Sequence, residues 1–566
     1  MNLACEHGSV AIVELLLRNG ARILPDAEGL YPQHLVARSG QTPQLLLLLK
    51  EYGADLDQID KLYSWTPLFH AASEGNVPCM QTLLDVGVQS NILDEKDLSS
   101  MYYAAWEGHL ECMRLLSSIP ISTKHTRQIP QYPQLGPTIG ISSPPKMNID
   151  ADGIPELELP PPIIPLRRYG HNFLDTKTFI QISFEESGEP PMVFFHDSKY
   201  PAARLTISSK LSDLIPKNIL LPFQEDTRLV SFQIDNLDSF AIDFDVFPTY
   251  GAKVIAKTVA LPSTFRALQS SSGRCCLPLF DPRLRAIGQI TFNFQVIKPF
   301  QGKPLEITDF ETYWKATSQF DSRPSAFITG SSLSGDYVQL FVQHTCDGVP
   351  VIWPTWSIDY MDIQFPVSRL TYDQFISAGS RHARKTANLS ELPGLPLENI
   401  AEVHRILSNS AVSLQDTLAL LPKGMHVNLQ VVYPSAEEEK ALRLGPTVNI
   451  NTFVDAILGV VFDHARALRE HSPDSMRSIV FSSYNPTICT ALNWKQPNYP
   501  VFLCNDLGRE GEKAGFSSAT ESSGRRTTSI KEAVRIAQNN NFMGLICNSR
   551  LLVSVPSKIH KCQREC

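Results

Sequence analysis

At 566 residues with 43% hydrophobic content, the chain is too long for one hydrophobic core, so three or four domains are expected. A formal net charge of −8 argues against a duplex-nucleic-acid binder, which needs a basic footprint. No apolar run approaches the ~20 residues that span a bilayer, so no transmembrane segment is expected.

The N-terminus, MNLACEHGSV, has no basic region followed by an apolar stretch, and no secretory signal is expected. Eleven cysteines lie along the chain without C-x-x-C spacing. Cys5, Cys79, Cys112 and Cys504 sit in apolar-periodic context and are expected to be buried thiols. Together these features point to a reducing compartment, cytoplasmic and/or nuclear.

Residues 1–118 repeat. Gly8, Gly40, Gly75 and Gly108 recur at spacings of 32, 35 and 33, the period of ankyrin repeats and their paired short helices. The third unit is the fullest, with Thr66, Pro67, Leu68, His70, Ala71, Ala72, Gly75, Leu83, Leu84 and Gly87. Its proline is expected to open a helix, where a missing N–H costs nothing. The fourth unit begins with Ser100, Met101, Tyr102 and Tyr103 and returns to the pattern at Ala104, Ala105, Gly108 and His109. The first unit is entered late, so N-terminal residues are expected to be missing. His7, His70 and His109 read as structural rather than as metal ligands, since no companion ligand set accompanies them.

Residues 119–166 form a proline-rich linker, with eleven prolines from Pro120 to Pro165. Ser142 and Ser143 precede Pro144 and offer proline-directed phosphorylation, although a plain spacer is the preferred reading. Residues 167–305 change to short β-rich runs at Phe179–Phe184, Met192–Phe195, Leu229–Ile234, Ala241–Phe247, Lys253–Leu261 and Gln289–Val296. Turn residues between them imply a β-sandwich. His196 and Asp197 are read as a turn.

From 310 to 566, strands alternate with helices, the pattern of a (β/α) TIM-type barrel. Strands are expected at Ala326–Ile328, Tyr337–Val342, Val349–Ile352, Val427–Val432, Ser478–Ser482, Pro500–Leu503 and Met543–Cys547. Helices are expected at Leu414–Leu421, Asn451–Glu470 and Ile530–Asn539. An eighth strand would lie beyond Pro556, where the sequence is polar, so the barrel is expected to be incomplete at its C-terminus.

Gly335–Thr355, GDYVQLFVQHTCDGVPVIWPT, resembles the metal-binding stretch of the glycerophosphodiester phosphodiesterase family. Asp336, Val342, Gln343, Thr345, Asp347, Gly348, Pro350 and Val351 fit that family's scaffold. The resemblance places the family's metal-binding Glu at Gln339, its Asp at Phe341, and its His-Asp step at Pro354 and Thr355. The family's opening His-Arg-Gly falls on Ile328-Thr329-Gly330, and its Glu-x-Lys on Gln430 and Val432. Phosphodiester cleavage needs an acid, a base and a charge-neutralising cation, so these substitutions imply a degenerate, catalytically silent barrel with no cofactor. The alternative, from fold alone, is a Mg- or Ca-dependent glycerophosphodiester phosphodiesterase. His344 and His382 stand nearby as substitute histidines, and a surface role is expected for His344.

Leu370, Thr371 and Phe375 match the family's L-T-x-x-x-F turn, and Phe481, Ser482 and Ser483 its F-S-S strand end. The run from Lys495 through Gln496, Pro497, Tyr499, Pro500 and Val501 matches the fungal branch. Leu277–Asp281 and Gly288–Val296 resemble the sandwich that precedes such barrels in large fungal proteins. Ankyrin repeats, sandwich and emptied barrel in this order resemble the fungal phosphate-system cyclin-dependent kinase inhibitor family, here without its SPX segment. The resemblance implies a cyclin–cyclin-dependent kinase partner; the contact residues are unknown from sequence, and the ankyrin surface around Tyr63, Trp65, Tyr102, Tyr103 and Trp106 is the candidate. Arg525 and Arg526, before Thr527, Thr528 and Ser529, suit basophilic phosphorylation, although a flexible loop is the preferred reading.

Overall fold

The computed structural model describes residues 1–118, 173–306 and 337–547, apart from 185–189, 196–201, 210–214, 225–226, 252, 267–270, 362, 383–388, 398, 446–447, 472–476 and 506–528. The 119–166 linker, His196-Asp197, the expected strand at 326–328, Thr329, Asp336, Arg525–Thr528 and everything beyond 547 lie outside the described residues.

The ankyrin region is four helix pairs: α1 (Asn2–Glu6) with α2 (Val10–Arg18), α3 (Pro32–Ser39) with α4 (Gln44–Glu51), α5 (Pro67–Glu74) with α6 (Val77–Asp85), and α7 (Ser100–Glu107) with α8 (Leu110–Ser117). Pro32 and Pro67 occupy the first helical position after an extended residue, as the sequence implies. Gly75 ends α5 at φ +75°, and a Cβ there would strike the His109 ring at 2.3 Å. That ring lies over Gly75 because His109 Nε2 bonds the Ser73 carbonyl at 2.9 Å. Asn76 does the same one repeat earlier, donating to the carbonyls of Ala37 and Arg38 at 2.7 and 2.8 Å. Each repeat therefore satisfies carbonyls that the previous repeat's helix end leaves open. Cys5, Cys79 and Cys112 are fully buried between the pairs.

The middle region is a nine-stranded antiparallel β-sandwich. Its strands are β1 (Thr178–Ser183), β2 (Met192–Phe194), β3 (Ala202–Ser208), β4 (Lys217–Leu220), β5 (Leu229–Ile234), β6 (Ile242–Pro248), β7 (Ala256–Ala260), β8 (Ser272–Phe280) and β9 (Ala286–Ile297), with the one-turn helix α9 (Pro262–Phe265) between β7 and β8. The order β4-β3-β6-β7 continues into β8-β9-β1-β5 through a single pair, Lys257 with Phe280, while β2 adds to β9. The halves fold over at that pair and enclose Phe184, Phe244, Ile207 and Phe292. β3, β4 and β8 lie beyond the runs expected from sequence. Cys275, Leu277 and Leu279 alternate with more exposed neighbours along β8, the mark of a strand buried on one face.

The C-terminal region is a nearly closed, barrel-shaped sheet. It contains β10 (Tyr337–His344), β11 (Pro350–Ile352), β14 (Val412–Ser413), β15 (His426–Val431), β16 (Ile479–Ser483), β17 (Val501–Asn505) and β18 (Gly544–Cys547), while β12 (Ser357–Tyr360) and β13 (Ile363–Pro366) form a separate hairpin. Its helices are α10 (Tyr372–His382), α11 (Ile400–Leu407), α12 (Leu414–Leu420), α13 (Ala436–Ala441), α14 (Ile450–His471), α15 (Pro486–Lys495) and α16 (Ile530–Asn539). β10, β15, β16, β17 and β18 run parallel.

Two expectations are corrected here. The strand expected at 349–352 forms and joins the sheet, but not as a parallel stave: β11 runs antiparallel to β10, because the Thr345–Val349 turn is too short for a parallel crossover. The L-T-x-x-x-F stretch is not a turn but the entry to α10.

Docking among the regions is specific. Asn451 donates to the Val296 carbonyl and accepts from Lys298 N–H, and Phe179 stacks on Trp494 at 4.4 Å, joining sandwich to barrel. At the far end of the repeats, Ile530 and Val534 of α16 join the ankyrin core beside Tyr102 and Trp106.

Candidate functional site

Strand alternation builds the barrel mouth. Val338, Leu340 and Val342 on β10 and Val427, Leu429 and Val431 on β15 pack against α11, α12 and α14 in one core. Their alternates, Gln339 and Phe341 on β10 and Gln430 on β15, therefore lie on the inner face. Parallel register sets Phe341 beside Gln430 and Gln339 beside Asn428.

The Gln339 side-chain amide donates to Gln430 Oε1, and Gln430 is 2% exposed. Ser482 Oγ donates to Asn428 Oδ1 at 2.7 Å, closing a second amide contact deeper on the same face. Two carboxylates held this closely without a cation repel and one is forced to take a proton, whereas two amides donate and accept. Val432 is buried, and its N–H bonds the Val342 carbonyl at 2.8 Å.

The loop after β11 is fixed from within. Gln343 donates to the carbonyls of Trp353 and Thr355 at 2.9 and 2.7 Å. Thr355 Oγ1 accepts from Trp353 Nε1 and donates to the Ser357 carbonyl. Pro354 lies between them, half-buried. The structure thus brings Gln339, Phe341, Gln430 and Val432 to one end of the inner face.

Among the described residues, no histidine or carboxylate occupies the alternate inner positions at that end. His426 is in phase but sits at the opposite end of β15, its ring 5.4 Å from Tyr337. This donor set does not fit a divalent cation, which takes carboxylate and carbonyl oxygens. No group of three or more His, Cys, Asp and Glu able to hold a metal occurs among the described residues.

His344 corrects an expectation. Its phase does point it away from Phe341, but outward on this strand means under α14. It is 3% exposed, its ring 5.0 Å from Phe453, and burial lowers its pKa. The side chain of His382 lies outside the described residues.

The scaffold residues of the motif hold a turn. Thr345 Oγ1 bonds Asp347 and accepts from Val349 N–H, while Gly348 takes φ +80°. The Asp347 carboxylate also accepts the Tyr372 N–H at 3.1 Å at the start of α10. Burial opposes ionisation of Asp347, but the Thr345 hydroxyl and the Tyr372 N–H prevail and hold its carboxyl below the usual range. In the fungal-type run, Lys495 pairs with Asp455 at 2.9 Å with its side chain fully buried, and Gln496 folds onto the backbone of Asn498 and Tyr499. Turn, helix start and buried pair have structural roles in the fold.

The ankyrin aromatics divide. Tyr63 is 45% exposed. Trp65 and Tyr103 pack at 4.5 Å between repeats and both donate to Asp94 Oδ2, at 3.3 and 2.6 Å. Burial, then the bond to Asp94, raises the Tyr103 pKa. Tyr102 and Trp106 stack and lean on α16, and the Trp106 carbonyl accepts from Ser529 Oγ at 3.1 Å.

A signal missed in the sequence is the acid at 26, 60 and 94. Asp26 accepts the Leu30 N–H, Asp60 the N–H groups of Leu62, Tyr63 and Trp65, and Asp94 that of Leu98. Asp60 also meets His70 Nε2 at 2.8 Å. Tyr103 on Asp94 takes the place that His70 has on Asp60. The 34-residue spacing of these three acids was visible in the sequence.

Residues 172–301 match the family of GDE1-like C2 domains, which makes the sandwich a C2-like domain, and residues 33–126 match three copies of ankyrin repeats. The chain is 65% identical to ankyrin repeat protein nuc-2 of Neurospora crassa over 99% of its own length and 55% of that protein. It is 33% identical to phosphate system positive regulatory protein PHO81 of Saccharomyces cerevisiae, over 94% of the chain and 49% of that protein. It is 22% identical to glycerophosphocholine phosphodiesterase GDE1 of Candida albicans, over 91% of the chain and 54% of that protein. The chain spans about half the length of these curated relatives.

Proposed function

The chain belongs to the fungal phosphate-system regulator family, and from that premise we propose that it acts in phosphate-starvation signalling by inhibiting a cyclin-dependent kinase complex through protein–protein contacts, its phosphodiesterase-type barrel catalytically silent. The observation that carries the silent-barrel reading is the Gln339–Gln430 amide pair, which satisfies itself at the positions where the resemblance implies metal carboxylates. Phe341 beside that pair adds an apolar wall where hydrolysis needs charge neutralised on phosphoryl oxygens. The barrel then serves as a rigid body, with α16 bracing the last ankyrin repeat through Ser529 and the Lys531–Glu107 pair at 3.2 Å. On this reading the barrel takes no metal, and the ankyrin face around the exposed Tyr63 meets the cyclin–kinase pair in the cytoplasm and/or nucleus. No helix among the described residues is long and apolar enough to cross a membrane.

The test is two assays on the same folded preparation. Titration of the chain against the cognate fungal cyclin–kinase complex is expected to reduce kinase activity with saturation. Glycerophosphocholine hydrolysis with Mg²⁺ or Ca²⁺ is expected to stay at the buffer rate. Turnover would overturn the silent barrel, and a kinase complex left fully active and unbound would overturn the inhibitor.

A further inference from the structure

A separate cleft lies beside the loop that follows β15. α13 and the turn after it follow the C-terminal end of β15, the end at which barrel loops form sites. Ser368 Oγ donates to the Leu444 carbonyl at 2.8 Å and fastens this loop to the turn that precedes α10. Arg443 is held at φ +53° and Gly445 at φ +87°. A Cβ on Gly445 would come within 2.8 Å of Arg369 Nε and 3.1 Å of its Cγ, so the glycine is what lets Arg369 lie across the loop.

The cleft is shallow and open to solvent, with a volume of about 390 Å³, and is lined by Arg369, Glu439, Lys440, Arg443 and Gly445. That is the size range of small-molecule sites. Three cations face one carboxylate. The side chains of Arg369, Lys440 and Arg443 make no hydrogen bond or ion pair among the described residues, although the chain as a whole is acidic, at −8. The cations outnumber the one carboxylate and repel one another, and an anion seated among them lowers that cost. Two guanidinium forks suit oxygen pairs on phosphate, and the ammonium adds a point charge. None of Gln339, Phe341, Pro354, Thr355, Gln430 or Val432 lines the cleft.

We propose that this cleft binds a small, soluble, polyvalent phosphate anion, independently of the altered barrel mouth. The occupant carries two or more negative charges, because one lining carboxylate already offsets part of the positive field.

The experiment is isothermal titration of the full chain with inorganic tripolyphosphate, at low and at ~0.15 M salt, with sulfate as the charge control. Saturable one-to-one binding is expected, weaker at the higher salt and weaker for sulfate. Arg369→Ala and the double variant Lys440→Gln/Arg443→Gln are each expected to lose at least tenfold in affinity, and Glu439→Gln to gain severalfold. The three cations are exposed, so these variants are expected to melt with the parent chain. Absence of binding by the parent, or binding that the folded variants leave unchanged, would overturn the proposal.

Discussion

Asp60 and Gln430 are each 2% exposed, yet one position holds a charge and the other an amide. Around Asp60 the local chain supplies the answer to that charge: three backbone N–H groups within five residues and the His70 ring within ten. Burial works against its ionisation, but His70 and the N–H groups outweigh it and leave the carboxyl below the usual range. Around Gln430 the neighbours are Phe341, Ser482, Val432 and another amide, none of them a charged group. A buried carboxylate is stable where the chain's own donors surround it. Where it would need a partner from outside the chain, a neutral group that satisfies itself is the stable choice.

That contrast breaks most sharply at Asp60. Asp60→Ala is expected to strand His70 and three N–H groups and to cost about 3–5 kcal/mol. Hydrogen exchange of the amides at 62–65 measures it, and protection equal to that of the parent chain would refute the account. Acid is the next test. Burial, then the neighbouring His70, pushes the His34 imidazole down to about 4, so the fold favours the neutral ring. With the folded value depressed below 6.5, this stabilisation is complete above pH 6.5 and is lost as pH falls toward 4. It amounts to about 3 kcal/mol at most. Asp60 adds a loss of the same sign at still lower pH, below the ordinary carboxylate value of 3.8. Ankyrin unfolding followed from pH 7 to 4 is expected to show the decline, and His34→Gln to flatten it. The smallest effect sharpens the barrel side. The double change Gln339→Glu/Gln430→Glu is expected to lower stability by about 1–2 kcal/mol at pH 7, less at pH 4, with partial recovery in millimolar Ca²⁺. A melting temperature indifferent to pH and Ca²⁺ would mean the mouth tolerates charge without a counter-ion.

Local signals made much of this legible. Leu229–Ile234 and Ile530–Asn539 form over the residues expected, because their burial patterns run uninterrupted between turn residues. His109 is structural, as expected, since its partner is one repeat away in a regular array. The burial of Cys504 followed from apolar context alone. The mouth positions were nameable because the resemblance covers contiguous motifs. What they do was not: Gln339 and Gln430 are 91 residues apart and meet only through strand register. Tyr102 and Trp106 read as open surface because no feature of the repeats announces that α16, more than 400 residues later, will cover them.

The sequence by itself determined the repeats, the strand-rich middle and the parallel barrel staves. Each rests on spacing or on hydrogen bonds that close within a few residues. Tertiary structure alone decided that β11 turns back along β10, that an outward-phased His344 lies under a helix, that two distant glutamines pair, and that Arg369 reaches the loop of Arg443. Those outcomes depend on which elements cover one another, and burial of that kind is a property of the assembled fold, not of any segment.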